Sequence, residues 1–191
     1  EPLGVTVVTF ANGVEAWLKP TDFRSDQIIF TLYAQGGASL ASPERFAEAS
    51  LATSYVGLSG AGGIRALDRQ RLLAGKPASA SPFMSLSTHG VSGSAAPAEL
   101  ETALQLLYQE VTAPGDDREA FGLLTRQLES MVANAGQNPA QVFGERVAGI
   151  NASGHYTARP FVAADIPSLD PARMLAFYRE RFANAADFTF F

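Results

Sequence analysis

Alternation of hydrophobic and polar positions marks the beginning of the chain. Two short runs rich in β-type residues cover residues 5–10 and 14–20, and the Asn12-Gly13 pair between them is a strong signal for a hairpin turn. A third run covers residues 27–34 and ends at Gly36-Gly37. These patterns predict three strands with antiparallel pairing.

Helical spacing replaces this alternation after residue 41. Ser42-Pro43 predicts the start of a helix that runs to about Val56, because Ser caps free amides and Pro suits the first helical position. The glycines at positions 57, 60, 62 and 63 would end it. A shorter helix fits residues 64–74, and residues 82–88 and 90–94 predict another pair of strands.

The second half of the chain is mostly helical. Apolar residues recur there at helical spacing in three groups, which are Leu100, Leu104, Leu107, Tyr108 and Val111; Phe121, Leu124, Leu128 and Val132; and Val142, Phe143, Val147 and Ile150. Asp116 and Glu119 have the spacing of a capping box for the second group, and Asn138-Pro139 opens the third. After a loop over residues 152–168, Asp170-Pro171 starts a last helix, and residues 187–191 form a final strand.

The order strands, helices, strands, helices, strand predicts an α+β fold with a mostly antiparallel sheet covered on one face by helices. We expect a single domain over residues 1–191. Its last residues, 187–191, are an apolar β-type run with no turn after it. This predicts a domain that is truncated at its C-terminal end and belongs to a longer, multi-domain chain.

Composition excludes several classes of function. Of the 191 residues, 47% are hydrophobic and 17% charged, with a formal net charge of −5 and no long charged run, which argues against a nucleic-acid surface. The sequence contains no apolar stretch of the roughly 20 residues that a membrane span needs. Cysteine is absent, so disulfides and thiol chemistry are excluded.

Three segments of the chain together resemble one enzyme family. They are FANGVEAWLKPTDFRSDQIIFTLYAQGGASL (residues 10–40), MSLSTHGVSGSAAPAELETALQLLYQEVTAP (residues 84–114) and FYRERFANAADFTFF (residues 177–191). They resemble the opening hairpin and strand, the later strand pair with its long helix, and the closing helix and strand of the zinc metallopeptidases that include pitrilysin, insulin-degrading enzyme and the mitochondrial processing peptidases. The segments LKPTDF (residues 18–23) and FANAADFTFF (residues 182–191) look most like those of the later, non-catalytic domains of bacterial members.

This resemblance implies where a zinc site would lie. Catalytic members carry an inverted motif, His-x-x-Glu-His, on the helix after the glycine pair, and a Glu on a later helix completes the site. The motif would fall at about Ser50, Thr53 and Ser54, and no His lies between Glu1 and Thr88. Neutral hydroxyls are poor zinc ligands and cannot act as a carboxylate base. Glu129 lies where the later carboxylate would be, and we interpret it as a solvated helix residue.

Other candidate sites are weak. His89 and His155 are the only histidines, are far apart in sequence, and are interpreted as surface or hydrogen-bonded residues. Ser92 in HGVSGS does not fit Gly-x-Ser-x-Gly. The loop GLSGAGG (residues 57–63) follows a helix and has no Lys, so we expect a helix-ending turn rather than a phosphate loop. Asn151-Ala-Ser is a formal glycosylation acceptor of little weight.

The sequence therefore predicts a non-catalytic domain of a multi-domain zinc peptidase, without metal or cofactor of its own and inactive alone. The resemblance implies that such a domain helps to form a chamber for unfolded peptides beside other domains of its parent, in the bacterial periplasm or outside the cell, with zinc in another domain. One alternative is a structural or assembly subunit of a larger complex; another is an enzyme with an unrelated site. An exposed sheet edge would bind peptide and would make the isolated chain prone to edge-strand dimers.

Overall fold

The fold was obtained as a computed structural model, which describes residues 4–191; the first three residues of the predicted domain lie outside this part. The strands and α-helices are, in chain order, β1 (Thr6–Thr9), β2 (Glu15–Leu18), β3 (Ile28–Gln35), α1 (Phe46–Ser59), α2 (Ala66–Leu72), β4 (Ala78–Met84), β5 (Thr88–Ala95), α3 (Leu100–Thr112), α4 (Arg118–Ala135), α5 (Pro139–Asn151), α6 (Pro171–Phe182) and β6 (Phe188–Phe190). Short 3-10 turns connect several of them. The predicted α+β class is confirmed.

All six strands form one sheet in the order β1-β2-β6-β3-β5-β4. Neighbouring strands run antiparallel except β2 and β6, which run parallel. The last strand therefore enters the middle of the sheet, between the opening hairpin and β3. The predicted, mostly antiparallel sheet is confirmed.

One face of the sheet carries the hydrophobic core. A row of paired residues crosses all six strands on this face and consists of Val8, Ala16, Phe190, Leu32, Val91 and Pro82. Helices α1 and α3 pack over β4, α3 also packs over β5, and Phe182 of α6 stacks on Phe188 of β6. Burial follows this cover, since Val91 is 0% exposed and Val8, at the far end of the row, is 39% exposed.

The glycine pair after β3 has a steric reason. Gly36 has a positive φ of 84°, a conformation that residues with a side chain rarely adopt. Gly37 lies so close to the β4–β5 turn that a Cβ atom would overlap the Ser85 carbonyl oxygen. The pair therefore lets the chain leave β3 while staying in contact with the neighbouring hairpin.

Several predicted boundaries are wrong: β4 begins at Ala78 rather than at residue 82, α1 continues through Gly57 to Ser59, and two further boundaries move because local hydrogen bonds close a turn. Helix α1 begins at Phe46 rather than at Ser42-Pro43, since the Ser42 carbonyl accepts a bond from the Arg45 amide (3.0 Å) and residues 43–45 form a turn. Strand β4 ends at Met84, because the Ser85 amide donates to the Thr88 carbonyl (2.8 Å) and places Thr88 in β5.

Helix caps agree with the sequence at two of four positions, since Ser42 does not cap α1. Asn138 and Asp170 accept amide bonds at the starts of α5 and α6, as predicted. At α4 the cap is Asp117, which accepts from the Glu119 amide (2.8 Å), and the prediction of Asp116 is wrong. The Asp116 carboxylate instead accepts a hydrogen bond from the buried Tyr55 hydroxyl, a partner 61 residues away.

Apolar stripes do not all face the core. On α3 the buried residues are Ala103, Leu106 and Glu110, whereas Leu104 and Tyr108 of the predicted stripe are exposed. On α5 the whole predicted stripe is exposed, including Phe143 at 71%. Both helices thus carry apolar residues that nothing within residues 4–191 buries fully.

We predict that α4 and α5 differ sharply in their contribution to stability. Leu124→Ala on α4 removes a side chain that is 3% exposed and should lower the free energy of unfolding by about 2–5 kcal/mol. Phe143→Ala on α5 removes a larger, exposed side chain and should change it by less than about 0.5 kcal/mol. Urea unfolding of the chain measures both. A large loss for Phe143→Ala would mean that α5 packs against the core.

Candidate functional site

Helix α1 carries Ser50, Thr53 and Ser54, the positions at which the sequence predicts a degenerate zinc motif. Its inner side is made of small or buried residues, among them Ala49, Ala52 and Tyr55, which let it pack close to its neighbours. Ser50 lies on another side, at a groove of about 220 Å³. The structure lines this groove with Pro43, Phe46, Ala47, Ser50, Leu51, Leu128, Met131, Tyr156, Arg159 and Phe161. The groove can accept an apolar side chain, but its lining offers no carboxylate or imidazole to a metal.

The other motif positions also lack ligands. Thr53 is partly exposed and Ser54 is exposed, and Glu129 is exposed on α4. Within residues 4–191 there is no group of three or more His, Cys, Asp or Glu residues that could hold a metal ion. The hydroxyls at Ser50, Thr53 and Ser54 could neither hold zinc nor take a proton from bound water at neutral pH.

His89 has a structural position. It is 2% exposed on β5, and its ring stands edge-on to Phe182 and Phe188. Nδ1 lies against the Gly36 carbonyl oxygen, and Nε2 lies 2.8 Å from the Arg181 carbonyl oxygen. His89 therefore connects the end of β3 to the end of α6, in agreement with the interpretation of a hydrogen-bonded residue.

The remaining candidates are separate from one another. His155 is exposed, and its Nδ1 lies 2.9 Å from the Thr157 hydroxyl. Ser92 lies within β5, paired with Thr31 of β3, and so is not at a strand-to-helix elbow. Asn151 is the last residue of α5 and is exposed. None of these three side chains is hydrogen-bonded to a second candidate.

The glycine-rich loop ends α1 and packs on another connection. Gly60, Gly62 and Gly63 have positive φ angles, and the Gly60 carbonyl accepts a bond from the Gly115 amide (2.9 Å). The nearby cleft contains Asp116, Asp117 and Glu119. Arg65 and Arg118 line the same cleft, and Arg65 pairs with Asp117 and Glu119. Because the loop ends α1 and packs on Gly115, the interpretation as a helix-ending turn agrees with the structure.

The two edges of the described sheet, β1 and β4, differ in their free backbone groups. On β4 the Ser85 amide bonds to Thr88 and the Ala96 amide bonds to Pro77, so alternate residues between them, including Pro82, point their backbone groups outward. Proline has no N–H, which interrupts this edge. On β1 the Phe10 amide bonds to the Val14 carbonyl, so Val7 and Thr9 point outward. Residues 6–9 contain neither proline nor charge, and β1 is the uninterrupted edge.

Comparisons with known proteins agree on one group. No model of a protein family matches the chain. The zinc protease PQQL-like protein of Arabidopsis thaliana is 28% identical over 188 residues, which are 98% of this chain and 17% of that protein. The periplasmic protease PqqL of Escherichia coli has the same fold over 98% of this chain and 21% of its own, with a TM-score of 0.83 and 21% identity.

A peptidase M16 inactive domain from Pseudomonas fluorescens also has this fold, with a TM-score of 0.75 and 19% identity over 92% of this chain and 43% of its own. The resemblance to the pitrilysin-type peptidases is confirmed. The chain spans about a fifth of the length of the first relatives it matches. No helix among the described residues has the length and hydropathy needed to cross a membrane.

Two buried carboxylates were missed by the sequence analysis. Glu48 is 4% exposed, and its Oε1 accepts bonds from the Asp170 amide (3.0 Å) and from Arg173 Nε (2.9 Å), which ties α1 to the start of α6. Glu110 is completely buried on α3 and pairs with Arg69 of α2. The signal for Glu110 was its spacing, four residues after Leu106 and seven after Ala103, on the face that is buried.

Glu110 belongs to a buried network that joins α2, α3 and α6. Burial raises the pKa of the Glu110 carboxyl, and the Arg69 guanidinium opposes this only in part. Tyr178 donates a hydrogen bond to the Glu110 main-chain carbonyl (3.0 Å), and burial raises the pKa of that phenol as well. Burial also raises the pKa of Tyr55 to about 12, together with its bond to Asp116. These groups lie inside the fold, away from the groove at Ser50.

We predict that Glu110 makes stability fall as pH rises. Because its pKa is raised in the folded state, the folded chain holds this proton more tightly than the unfolded chain does. The stability that this proton contributes is fully present below the ordinary carboxyl pKa of 4.5 and is lost as pH rises through the pKa of Glu110 in the folded chain. Glu110→Gln should therefore reduce the loss of stability between pH 4.5 and neutral pH in urea unfolding.

The exposed Glu129→Gln substitution is the matched control and should leave the pH profile unchanged. Parallel profiles for the wild-type chain and Glu110→Gln would contradict the prediction.

Proposed function

We propose that this chain is a non-catalytic domain of a multi-domain, pitrilysin-type zinc peptidase, in which it helps to form the chamber that holds unfolded peptides. The observation that carries the proposal is the replacement of zinc ligands by Ser50, Thr53 and Ser54 on the first helix of a pitrilysin-type fold. Zinc is then bound by another domain of the parent protein. The other domains of the parent are this domain's partners.

The lengths of the relatives support a longer parent. The matched parts are 17% of the Arabidopsis protein and 21% of PqqL. The first half of PqqL, as a separate structure, matches with 12% identity and a TM-score of 0.75, below the 21% and 0.83 found with the whole chain. A region of the first half would match equally well in both structures. The difference supports a correspondence between this chain and a later domain of PqqL, in agreement with the segments LKPTDF and FANAADFTFF.

The free edge at β1 offers a way to hold peptides in extended form. Val7 and Thr9 present outward N–H and C=O groups, to which an added strand can bond without reading its side chains. Such binding recognises the shape of an unfolded peptide more than its sequence, as a general chamber requires. The β4 edge is less suitable, because Pro82 interrupts its row of donors.

The compartment follows the relatives. PqqL of E. coli is described as a periplasmic protease, and a periplasmic or secreted location is proposed for the parent of this chain on that basis.

The alternative of an assembly subunit is favoured by one feature, the exposed apolar stripe of α5 with Phe143 and Ile150. A neighbouring domain of the same parent would cover that stripe equally well.

The isolated chain is expected to be inactive. After equilibration with zinc it should retain no stoichiometric metal, and it should not cleave a mixture of unfolded peptides in a chelator-sensitive way. Metal content and peptide cleavage, with and without chelator, measure this, and an active zinc peptidase of the family is the positive control. Stoichiometric zinc with chelator-sensitive cleavage would overturn the proposal and bring His89, His155 and Glu129 back as ligands.

Peptide binding at β1 is tested by removing one outward N–H. Val7→Pro should weaken binding of a labelled unfolded peptide by about fivefold, since a hydrogen bond contributes about 1 kcal/mol. Val7→Ala is the matched control, because it shortens the side chain and keeps the N–H. Fluorescence anisotropy gives both affinities. The same edge would form the predicted dimer, so Val7→Pro should also reduce any self-association of the isolated chain.

Equal affinities for Val7→Pro and the wild-type chain would place peptide binding elsewhere. A loss that Val7→Ala reproduces would mean that the side chain, not the backbone, makes the contact.

A further inference from the structure

The helices lie over one end of the core-bearing face of the sheet. Helices α1 and α3 cover β4, α3 also covers β5, and Phe182 of α6 stacks on β6, while the same side of β1 and β2 borders an apolar groove of about 1080 Å³, here called the hairpin groove. Its floor includes Val8, Ala16, Leu18 and Phe190. Leu18 is 47% exposed although it points to the side that is core elsewhere in the sheet.

Helix α3 forms one wall of the hairpin groove with a second apolar face. This wall consists of Leu100, Leu104, Leu107, Tyr108 and Val111. The spacing is that of a ridge along one side of a helix, and the neighbouring side of α3, about a quarter turn further round the axis, buries Ala103 and Leu106. Leu104 and Tyr108 remain 39% and 67% exposed. The apolar surface of α3 is wider than its contacts with β4, β5 and α6 bury, so Leu104 and Tyr108 are left for a further neighbour.

We infer that the hairpin groove binds an amphipathic α-helix supplied by the longer polypeptide to which this chain belongs. This helix lies on the floor of β1 and β2, beside α3, and extends the helical layer over the rest of the sheet. The inference rests on the proposed function in one respect, which is that the chain is part of a longer polypeptide.

Backbone hydrogen bonding favours a helix over an extended peptide as the occupant. Within the floor, β1 bonds to β2, β2 to β6 and β6 to β3, so their backbone groups are already paired. The side chains that line the groove are mostly apolar. An extended peptide there would bury unpaired N–H and C=O groups, which is costly, while a helix pairs its own. The ridge on α3 also has the geometry that another helix packs against.

Supply from the same polypeptide is favoured over a second copy of the chain. The matched relatives are about five times longer than the matched segment, so polypeptide for a further helix is available in proteins of this kind. A covalently connected helix is present at a high effective concentration and needs no association between molecules. An exposed apolar area of this size also promotes association of an isolated chain, which is avoided when the helix covers it.

The test uses single cysteines, which the cysteine-free sequence permits without background from this chain. Leu104→Cys and Leu18→Cys place a thiol on the wall and on the floor of the hairpin groove, and Leu67→Cys on α2 is an exposed control outside it. Each variant is made in the isolated chain and in the natural longer protein. Maleimide labelling rates report cover, and benzophenone maleimide on the same cysteine, followed by mass spectrometry, identifies what lies next to it.

We expect Leu104→Cys and Leu18→Cys to label at least about tenfold more slowly in the longer protein than in the isolated chain. Their cross-links should join one segment of the same polypeptide, outside these 191 residues and with helical apolar spacing. Leu67→Cys should not cross-link to that segment. Circular dichroism verifies that each variant folds. If one of the two groove variants does not fold, the labelling of the other tests the inference.

Four results would overturn the inference. The first is that the groove cysteines label equally fast in both proteins, and the second is that they are protected only after unfolded peptide is added. The third is that their protection in the isolated chain rises with its concentration. The fourth is a cross-link to an added peptide or to a second molecule. A natural protein no longer than this chain would overturn both this inference and the proposed function. Fast labelling in a longer protein that cleaves peptides would overturn this inference alone.

Discussion

The structure depends on the burial of one face of a six-stranded sheet. That face gains its stability from contact with helices, since α1 and α3 pack over β4, α3 packs over β5, and Phe182 of α6 stacks on Phe188 of β6. Buried polar contacts hold these helices in register, since Glu48 ties α1 to α6 and the Tyr178 hydroxyl ties α6 to the α3 backbone. Where the cover ends, at β2 and β1, core-facing side chains become exposed.

If Ser50, Thr53 and Ser54 replace zinc ligands, as proposed, the same constraint explains how the fold is kept. Helix α1 contacts the core through Ala49, Ala52, Tyr55 and Val56. The positions of the metal motif lie on its other sides, where Ser50 and Ser54 are exposed. Ligands at those positions would act on a substrate rather than on the core. Hydroxyl side chains there remove the metal chemistry, while the packing of the helix is maintained by residues that point elsewhere.

Local signals in the sequence were sufficient for most of the elements. The hairpin at Asn12-Gly13 and the caps at Asn138 and Asp170 involve residues a few positions apart, and each was predicted correctly. Distant partners decided the rest. Tyr55 takes Asp116 away from the helix cap it was predicted to form, and the insertion of β6 between β2 and β3 joins segments far apart in the chain.

The candidate site shows the same division. The absence of zinc ligands on α1 is a matter of residue type and could be predicted from sequence alone. The buried pair of Arg69 and Glu110 lies 41 residues apart, and Glu48 and Arg173 lie 125 apart, so only the fold brings these partners together. On α3, two apolar faces share one sequence pattern. The stripe of larger apolar residues, with Leu104 and Tyr108, predicted the wrong face as the buried one, because the small Ala103 permits closer packing on the other face.

The edge at β1 and the hairpin groove are adjacent but chemically different, so one occupant does not exclude the other. A helix on the sheet face meets side chains and pairs its own backbone, whereas an added strand at the edge pairs with Val7 and Thr9 through backbone groups. Covering the groove would also hold the hairpin more rigidly. A rigid edge loses less entropy when it binds an extended peptide, so a helix in the groove would strengthen peptide binding at β1 rather than compete with it.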